Sequence, residues 1–213
     1  MIQRVRSNWN IVKTFVKEVI SVIHISSGGS RIAVVLFSTK AYVKLKLNEE
    51  HTVERILQRI DSLPFLNGNS RNMSGGLYLM NHVVFRSENG DRSDADNIVI
   101  LITSGRSTSN RDTLLYAKEA KDKGVKIIAI GTTTFDTSEL YTIVSPPAHQ
   151  TLYNVLTVTK LVSIKRWIVF EIYRPRGLRE SLISISQHNT TLRYHFVFSS
   201  ILRIKIYDFI RIN

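Results

Sequence analysis

Residues 97–107, NIVILITSGRS, decide the fold of this chain. An almost unbroken run of isoleucine, valine and leucine ends at a threonine and is followed by a short polar turn. Such a run is typical of a strand whose two faces are both covered. Two more runs of this kind, RIAVVLFS (31–38) and VKIIAIGT (125–132), stand on either side of it in the sequence. Together they predict the buried strands of a sheet.

Helical patterns separate these strands. Apolar side chains recur at helical spacing in residues 11–23 and 51–63, and we predict further helices over 74–86, 111–123 and 138–145. Residues 41–47 alternate as an edge strand does, and 151–155 complete the predicted strands. Strands alternating with helices predict an α/β domain with a mostly parallel sheet and helices on both faces. Ligands bind such sheets at the carboxyl ends of the strands, so the loops after residue 38, 66–76 and 104–110 form the candidate site.

The composition excludes several classes of function. The chain has 213 residues, a net charge of +12 and no cysteine, which removes disulfides, thiolate metal sites and cysteine nucleophiles. No apolar run reaches the ~18 residues of a membrane span. The first residues, MIQRVRSNWN, lack an apolar segment, so no signal peptide is predicted. Since no block of five like charges occurs, we interpret the positive charge as solvated and predict no nucleic-acid partner.

Residues 8–164 resemble the von Willebrand factor type A (VWA) domain of matrilin-like and collagen-associated extracellular proteins. The segments that carry the resemblance are NWNIVKTFVKEVI, RIAVVLFST, SGGLYLM, NIVILITSGRS, AKDKGVKIIAIGTTTFDTSEL and TLYNVLTVTKLVSI. The resemblance implies a doubly wound fold with strand order 3-2-1-4-5-6 and non-enzymatic adhesion to other proteins outside the cell. Many members also hold Mg²⁺ in a metal-ion-dependent adhesion site (MIDAS) at the top of the sheet.

The resemblance also implies which positions the metal ligands occupy. The family's Asp after its fourth strand falls on Ser104, and its loop Thr falls on Asn72. The family's Asp-x-Ser-x-Ser run largely precedes Met1, and its last serine coincides with Gln3. We therefore expect a degenerate metal site and no cofactor. Mg²⁺ would bind only if other residues have rebuilt the site. The predicted partner-binding face comprises Asn72, Ser74, Ser104, Arg106 and Ser107.

The family's first strand has no counterpart before residue 8, and three explanations stay open. The chain is a fragment or has a mispredicted start, or another segment such as RWIVFEIY (166–173) fills the gap, or the sheet closes over it. Residues 165–213 form a basic tail that does not resemble the family. Within it, residues 191–213 are interpreted either as two strands of a small β appendage or as translated non-coding sequence.

Three functional hypotheses follow. The first is a protein-binding module for an extracellular-matrix or cell-surface protein, extracellular by resemblance. The second is a truncated or degenerate chain with no binding activity of its own. The third, a nucleotide enzyme of Rossmann type, shares the architecture, but the sequence lacks a phosphate-binding glycine loop after a strand.

Overall fold

The computed structural model describes residues 2–132, 136–174 and 194–200, with 2–6 and 194–200 described by their backbone. The helices are α1 (Ile2–Ile20), α2 (Val53–Asp61), α3 (Met73–Leu79, continued by a π-helical turn, Met80–Val84), α4 (Asn110–Asp122), α5 (Ser138–Ile143), α6 (Ala148–Thr151) and α7 (Leu161–Tyr173). The strands are β1 (Arg31–Phe37), β2 (Ala41–Leu45), β3 (Asp96–Thr103), β4 (Lys126–Gly131), β5 (Leu152–Asn154) and β6 (Tyr194–Ser200). Short 3₁₀ turns occupy Ser87–Asn89 and Val158–Lys160.

All six strands belong to one sheet in the order β2-β1-β6-β3-β4-β5. Only the β1–β2 pair is antiparallel, and every other neighbouring pair is parallel. The predicted α/β fold with a mostly parallel sheet is confirmed. Because the parallel strands end at one edge of the sheet, which we call the top edge, the loops that follow them share that edge.

The buried strands place alternate side chains in two separate cores, one on each face of the sheet. Ile98, Ile100 and Ile102 join one core with residues of α1, α2 and α7, whereas Val99 and Leu101 join the other with residues of α3, α4 and α5. All five side chains are at most 2 % exposed. Coverage by helices on both faces explains why β3 is apolar without interruption from Ile98 to Ile102.

Local signals in the sequence fix several helix ends. Thr52 caps α2 by accepting a hydrogen bond from the Arg55 N–H at 3.4 Å, and Ser109 caps α4 in the same way. After α4, Gly124 adopts a φ of 78°, the left-handed conformation that glycine allows at a helix end. These residues satisfy backbone groups at the helix ends or end the helix there.

The proposal that residues 166–173 fill a gap in the sheet is wrong. They lie in α7, where Ile168, Glu171 and Ile172 are buried and Trp167 and Phe170 are exposed. Burial at spacings of three and four residues is the pattern of a helix with one covered face. The predicted domain boundary at 164–165 therefore falls inside α7.

Strand β6 occupies the position that the resemblance gives to the family's first strand. It lies between β1 and β3 and is parallel to both, with Phe198 opposite Val34 on one side and Ile100 on the other. Residues 194–200 are therefore part of the main sheet and not of a separate β appendage, while residues 201–213 lie outside the described residues. Among the helices described, none combines the length and apolarity that crossing a membrane requires.

Candidate functional site

Three loops meet at the top edge and are joined by backbone hydrogen bonds. The N–H of Asn72 donates to the Ser38 carbonyl at 2.7 Å, which ties loop 66–76 to the end of β1. The N–H of Arg71 donates to the Thr108 hydroxyl at 3.0 Å, and the Thr108 N–H donates back to the Arg71 carbonyl at 2.8 Å. Loops 66–76 and 104–110, which the sequence predicted to share a site, therefore form one continuous surface.

Two glycines permit this close approach of the loops. A Cβ on Gly68 would clash with the Ser38 Oγ and would lie 2.8 Å from the Ser38 Cβ. A Cβ on Gly105 would lie 2.8 Å from the Arg71 Cζ, so the guanidinium lies directly against the glycine backbone. A side chain at Gly68 would push the loop away from Ser38, whereas a side chain at Gly105 would displace the Arg71 guanidinium.

Asn72 organises the start of α3. Its Oδ1 accepts hydrogen bonds from the Gly75 N–H at 2.8 Å and from the Ser74 hydroxyl at 3.2 Å, while its Nδ2 donates to the Thr39 carbonyl at 3.3 Å. This is the arrangement of a helix N-cap. The structure thus brings the predicted site residues Asn72 and Ser74 into direct contact, with the amide of Asn72 engaged at both ends.

Ser104 is the first residue beyond β3 and is only 5 % exposed. Next to it, the Thr103 hydroxyl donates to the Gly105 carbonyl at 2.9 Å, which closes a tight turn around Ser104. A neutral hydroxyl therefore stands where the resemblance places a carboxylate ligand. Divalent cations such as Mg²⁺ are usually held by carboxylates, and the expectation of a degenerate metal site at Ser104 stays a prediction.

Arg106 and Ser107 turn towards α5. The Ser107 N–H donates to one carboxylate oxygen of Glu139 at 2.8 Å, and the Ser107 hydroxyl donates to the other. Glu139 is 4 % exposed. The guanidinium of Arg106 forms an ion pair with Asp136 and donates to the Ser138 hydroxyl at 3.3 Å. Of the five predicted site residues, only Arg106 is exposed.

Sequence reasoning missed two acidic residues at this edge, Asp136 and Glu139. Both belong to the DTSE segment at the start of α5, where Asp136 accepts a hydrogen bond from the Ser138 N–H at 2.8 Å. Asp136 with Glu139 three residues later is a helix-start signal. Because this helix follows β4, the signal could have indicated that its first residues lie near the top edge. Within residues 7–132 and 136–174, whose side chains are described, no three His, Asp or Glu side chains come together as a metal would require.

Strand β6 also delivers residues to the top edge that the sequence did not suggest. Its last residue, Ser200, lies in register with Leu36 of β1 and Ile102 of β3. The carboxyl end of β6 therefore arrives between the strands that lead into Ser38 and Ser104. The partial alternation of residues 191–213 was compatible with two strands of a small β appendage or with translated non-coding sequence, and nothing in it indicated a strand between β1 and β3.

Comparison with known proteins identifies the family. The family model described as von Willebrand factor type A domain matches residues 3–167. The chain is 31 % identical over 159 residues to the collagen alpha-1(XII) chain of Notophthalmus viridescens, covering 75 % of this chain and 17 % of that protein. It is 28 % identical over 146 residues to human matrilin-4, covering 66 % of this chain and 23 % of that protein. The chain thus spans less than a quarter of either relative.

Comparison with solved structures finds proteins of similar fold. Proximal thread matrix protein 1 of the mussel byssus superposes with a TM-score of 0.73 at 27 % identity, covering 77 % of this chain and 42 % of that chain. The same protein has been solved with a zinc-occupied MIDAS motif. The manganese-loaded TRAP protein of Plasmodium vivax shares the fold, with a TM-score of 0.59 at 18 % identity, covering 74 % of this chain and 65 % of that chain.

Proposed function

The chain belongs to the von Willebrand factor type A domain family, and from that premise we propose that it is a non-enzymatic module that binds an extracellular-matrix or cell-surface protein. The binding surface is the top edge, formed by loops 66–76 and 104–110, and it works outside the cell without a metal ion. The observation that carries the proposal is the joining of these loops into one surface whose mapped metal positions hold Asn72 and Ser104.

The surface has the character of a protein-binding rim. Thr39, Asn69, Arg106 and Thr108 are exposed, and all four are polar side chains that can donate hydrogen bonds. Beneath them, the hydrogen bonds between loops and the close approaches at Gly68 and Gly105 keep the backbone fixed. A surface held rigid before binding loses less conformational entropy when a partner docks.

Among the residues that the structure describes, the donor set at the top edge does not fit Mg²⁺. Mg²⁺ demands oxygen ligands in near-octahedral geometry and is usually held by one or two carboxylates. The Asn72 Oδ1 already accepts two hydrogen bonds, and Ser104 contributes no charge. Both carboxylate oxygens of Glu139 accept from Ser107, so this buried acid is engaged as well. These contacts support binding that is independent of metal, and we derive no step through a cation.

The test is binding of the full chain to purified fibrillar collagen, fibronectin and laminin, measured by biolayer interferometry with Mg²⁺ and again with EDTA. We expect at least one of these probes to bind with the same affinity in both buffers. Arg106→Glu reverses the charge of the exposed arginine at the top edge, and Arg55→Glu makes the same change on α2 as a matched control. We expect only Arg106→Glu to weaken binding, by roughly tenfold or more.

Each outcome has a distinct meaning. Breaking the exposed Arg106–Asp136 pair costs no more than about 1 kcal/mol, but Arg106→Glu also places a second carboxylate beside Asp136, so a thermal melt of the variant must show that it is folded before loss of binding is assigned to the surface. Binding that disappears in EDTA would refute the metal-independent surface. Absence of binding to every probe, in a chain that melts cooperatively, would instead favour the alternative of a degenerate VWA chain without binding activity.

A thermal melt tests metal binding without any protein partner. A ligand that binds only the folded state raises its stability by about 2.7 kcal/mol at a concentration 100 times its dissociation constant. We expect the melting temperature to be the same in Mg²⁺, Mn²⁺ and EDTA. A rise of several degrees in either metal would mean that the site at Asn72 and Ser104 has been rebuilt.

A further inference from the structure

The centre of the sheet depends on a strand that comes late in the sequence. β6 pairs with β1 from Arg31 to Leu36 and with β3 from Asp96 to Ile102. If β6 were withdrawn, β1 and β3 would stand two strand spacings apart, roughly 10 Å, with their facing N–H and C=O groups unpaired. Unpaired backbone groups in a buried gap are costly, so another strand must occupy this position.

The remaining strands form two groups, and the strands within each group pair with one another without β6. β2 and β1 make one group, and β3, β4 and β5 make the other. All five of these strands precede residue 194, so both groups are synthesised before the strand that joins them. Until residues 194–200 arrive, the gap between β1 and β3 is open to any strand with a matching direction and register.

The connection to β6 is long enough to reach a neighbouring molecule. Residues 174–193 connect α7 to β6, and a chain of that length can span at most roughly 70 Å. The pairing of β6 with β1 and β3 is defined by main-chain register, and the same register is available when the strand comes from another chain. Exchange of an identical element between protomers creates few new contacts and is therefore a low-cost route to a dimer.

We propose that the gap between β1 and β3 is a strand-acceptor site, and that two copies of this chain exchange residues 194–200 so that each completes the sheet of the other. The acceptor takes an extended strand parallel to both of its neighbours. Exchange competes with insertion within one chain. A strand tethered to its own acceptor has an effective concentration of about 1 mM, so we expect exchange to become substantial when the chain refolds near that concentration.

The absence of native cysteine makes a disulfide test specific. Ala33 on β1 lies opposite Val197 on β6, and paired strands are about 4.8 Å apart, within the Cα separation that a disulfide allows. Full-length Ala33→Cys and a differently tagged full-length Val197→Cys are mixed, unfolded, refolded together and oxidised. The covalent product that carries both tags is measured on a non-reducing gel. In parallel, one chain carrying both substitutions is refolded at about 10 µM, well below the tethered concentration.

We expect the double variant to form its disulfide within one chain, and the mixed variants to form a covalent heterodimer. The heterodimer yield should fall well over tenfold between about 1 mM and 10 µM chain. Tyr194→Cys replaces Val197→Cys in a matched control. It lies three residues out of register with Ala33 and should give no heterodimer.

The results that overturn the proposal are specific. If the mixed variants stay monomeric at about 1 mM, exchange does not occur, because the acceptor then takes only its own strand. If the double variant fails to form its disulfide although its reduced form melts cooperatively, β6 does not occupy the gap. Equal heterodimer yields from Val197→Cys and Tyr194→Cys would indicate collision between chains instead of insertion. None of these readouts depends on a binding partner, so the result is distinguishable from a failure of the proposed adhesion function.

Discussion

Replacing Glu171 with glutamine tests how α7 is anchored to the sheet. Glu171 is 2 % exposed, and its carboxylate lies 3.0 Å from the Lys126 Nζ and 2.7 Å from the Arg174 guanidinium. Removing one partner of a fully buried ion pair costs about 3–5 kcal/mol. Because the Lys126 and Arg174 side chains remain 20 % and 28 % exposed, water screens part of this loss, and we expect Glu171→Gln to cost about 2–3 kcal/mol.

The assay is chemical and thermal unfolding of the full chain beside a matched control. For a chain of this size, about 2–3 kcal/mol lowers the melting temperature by roughly 4–12 °C. Asp122→Asn makes the same chemical change in the exposed Lys118–Asp122 pair and should stay within about 0.5 kcal/mol of the native chain. If Glu171→Gln is no more destabilising than Asp122→Asn, the carboxylate does not anchor α7 and the reasoning from its burial is refuted.

Two further predictions concern alkaline pH and the top edge. Burial, and then the charge of a nearby carboxylate, raises the pKa of Tyr153 to about 12. Tyr153 contributes its full stabilisation below its unfolded pKa of about 10, and this contribution is lost as the pH rises towards 12. Tyr153→Phe should therefore flatten the fall in unfolding free energy between these two pH values. Tyr141→Phe, at an exposed position, should leave that fall unchanged. Gly68→Ala should destabilise the chain by about 1–3 kcal/mol because its Cβ would meet Ser38. Gly28→Ala, with open space around it, should be nearly neutral. Equal unfolding free energies for the two alanine variants would contradict the close approach of Gly68 to Ser38.

The sequence predicted the buried strands and most of the helices because hydrophobic pattern determines them directly. β3 is apolar from Ile98 to Ile102 because helices cover both of its faces. The secondary structure of residues 166–173 was harder to predict, because their apolar, β-branched composition suits either a strand or a helix. Spacing resolves the choice: Ile168 and Ile172 face the core four residues apart, whereas Trp167 and Phe170 face outward. Composition alone could not have separated the two structures.

The position of the loops at the top edge was predictable, but the contacts of their residues were not. The rule that ligands bind at the carboxyl ends of strands places loops 66–76 and 104–110 at the top edge, where the structure has them. The pairing of Ser107 with Glu139, and the capping of α3 by Asn72, depend on side-chain hydrogen bonds between segments that are distant or irregular in sequence. Strand order presents the same difficulty, because no local pattern in residues 194–200 specifies β1 and β3 as neighbours.

The position of β6 connects the proposed surface to the proposed exchange. β6 runs between the two strands that lead into Ser38 and Ser104, so the spacing of those residues across the top edge depends on the gap being filled. A strand from a second copy enters in the same register and leaves that spacing unchanged, so an exchanged dimer retains both binding surfaces. Two linked surfaces that reach the same matrix fibre bind with greater avidity than one, without any new contact. Exchange therefore changes the number of surfaces joined together, while the geometry of each surface stays the same.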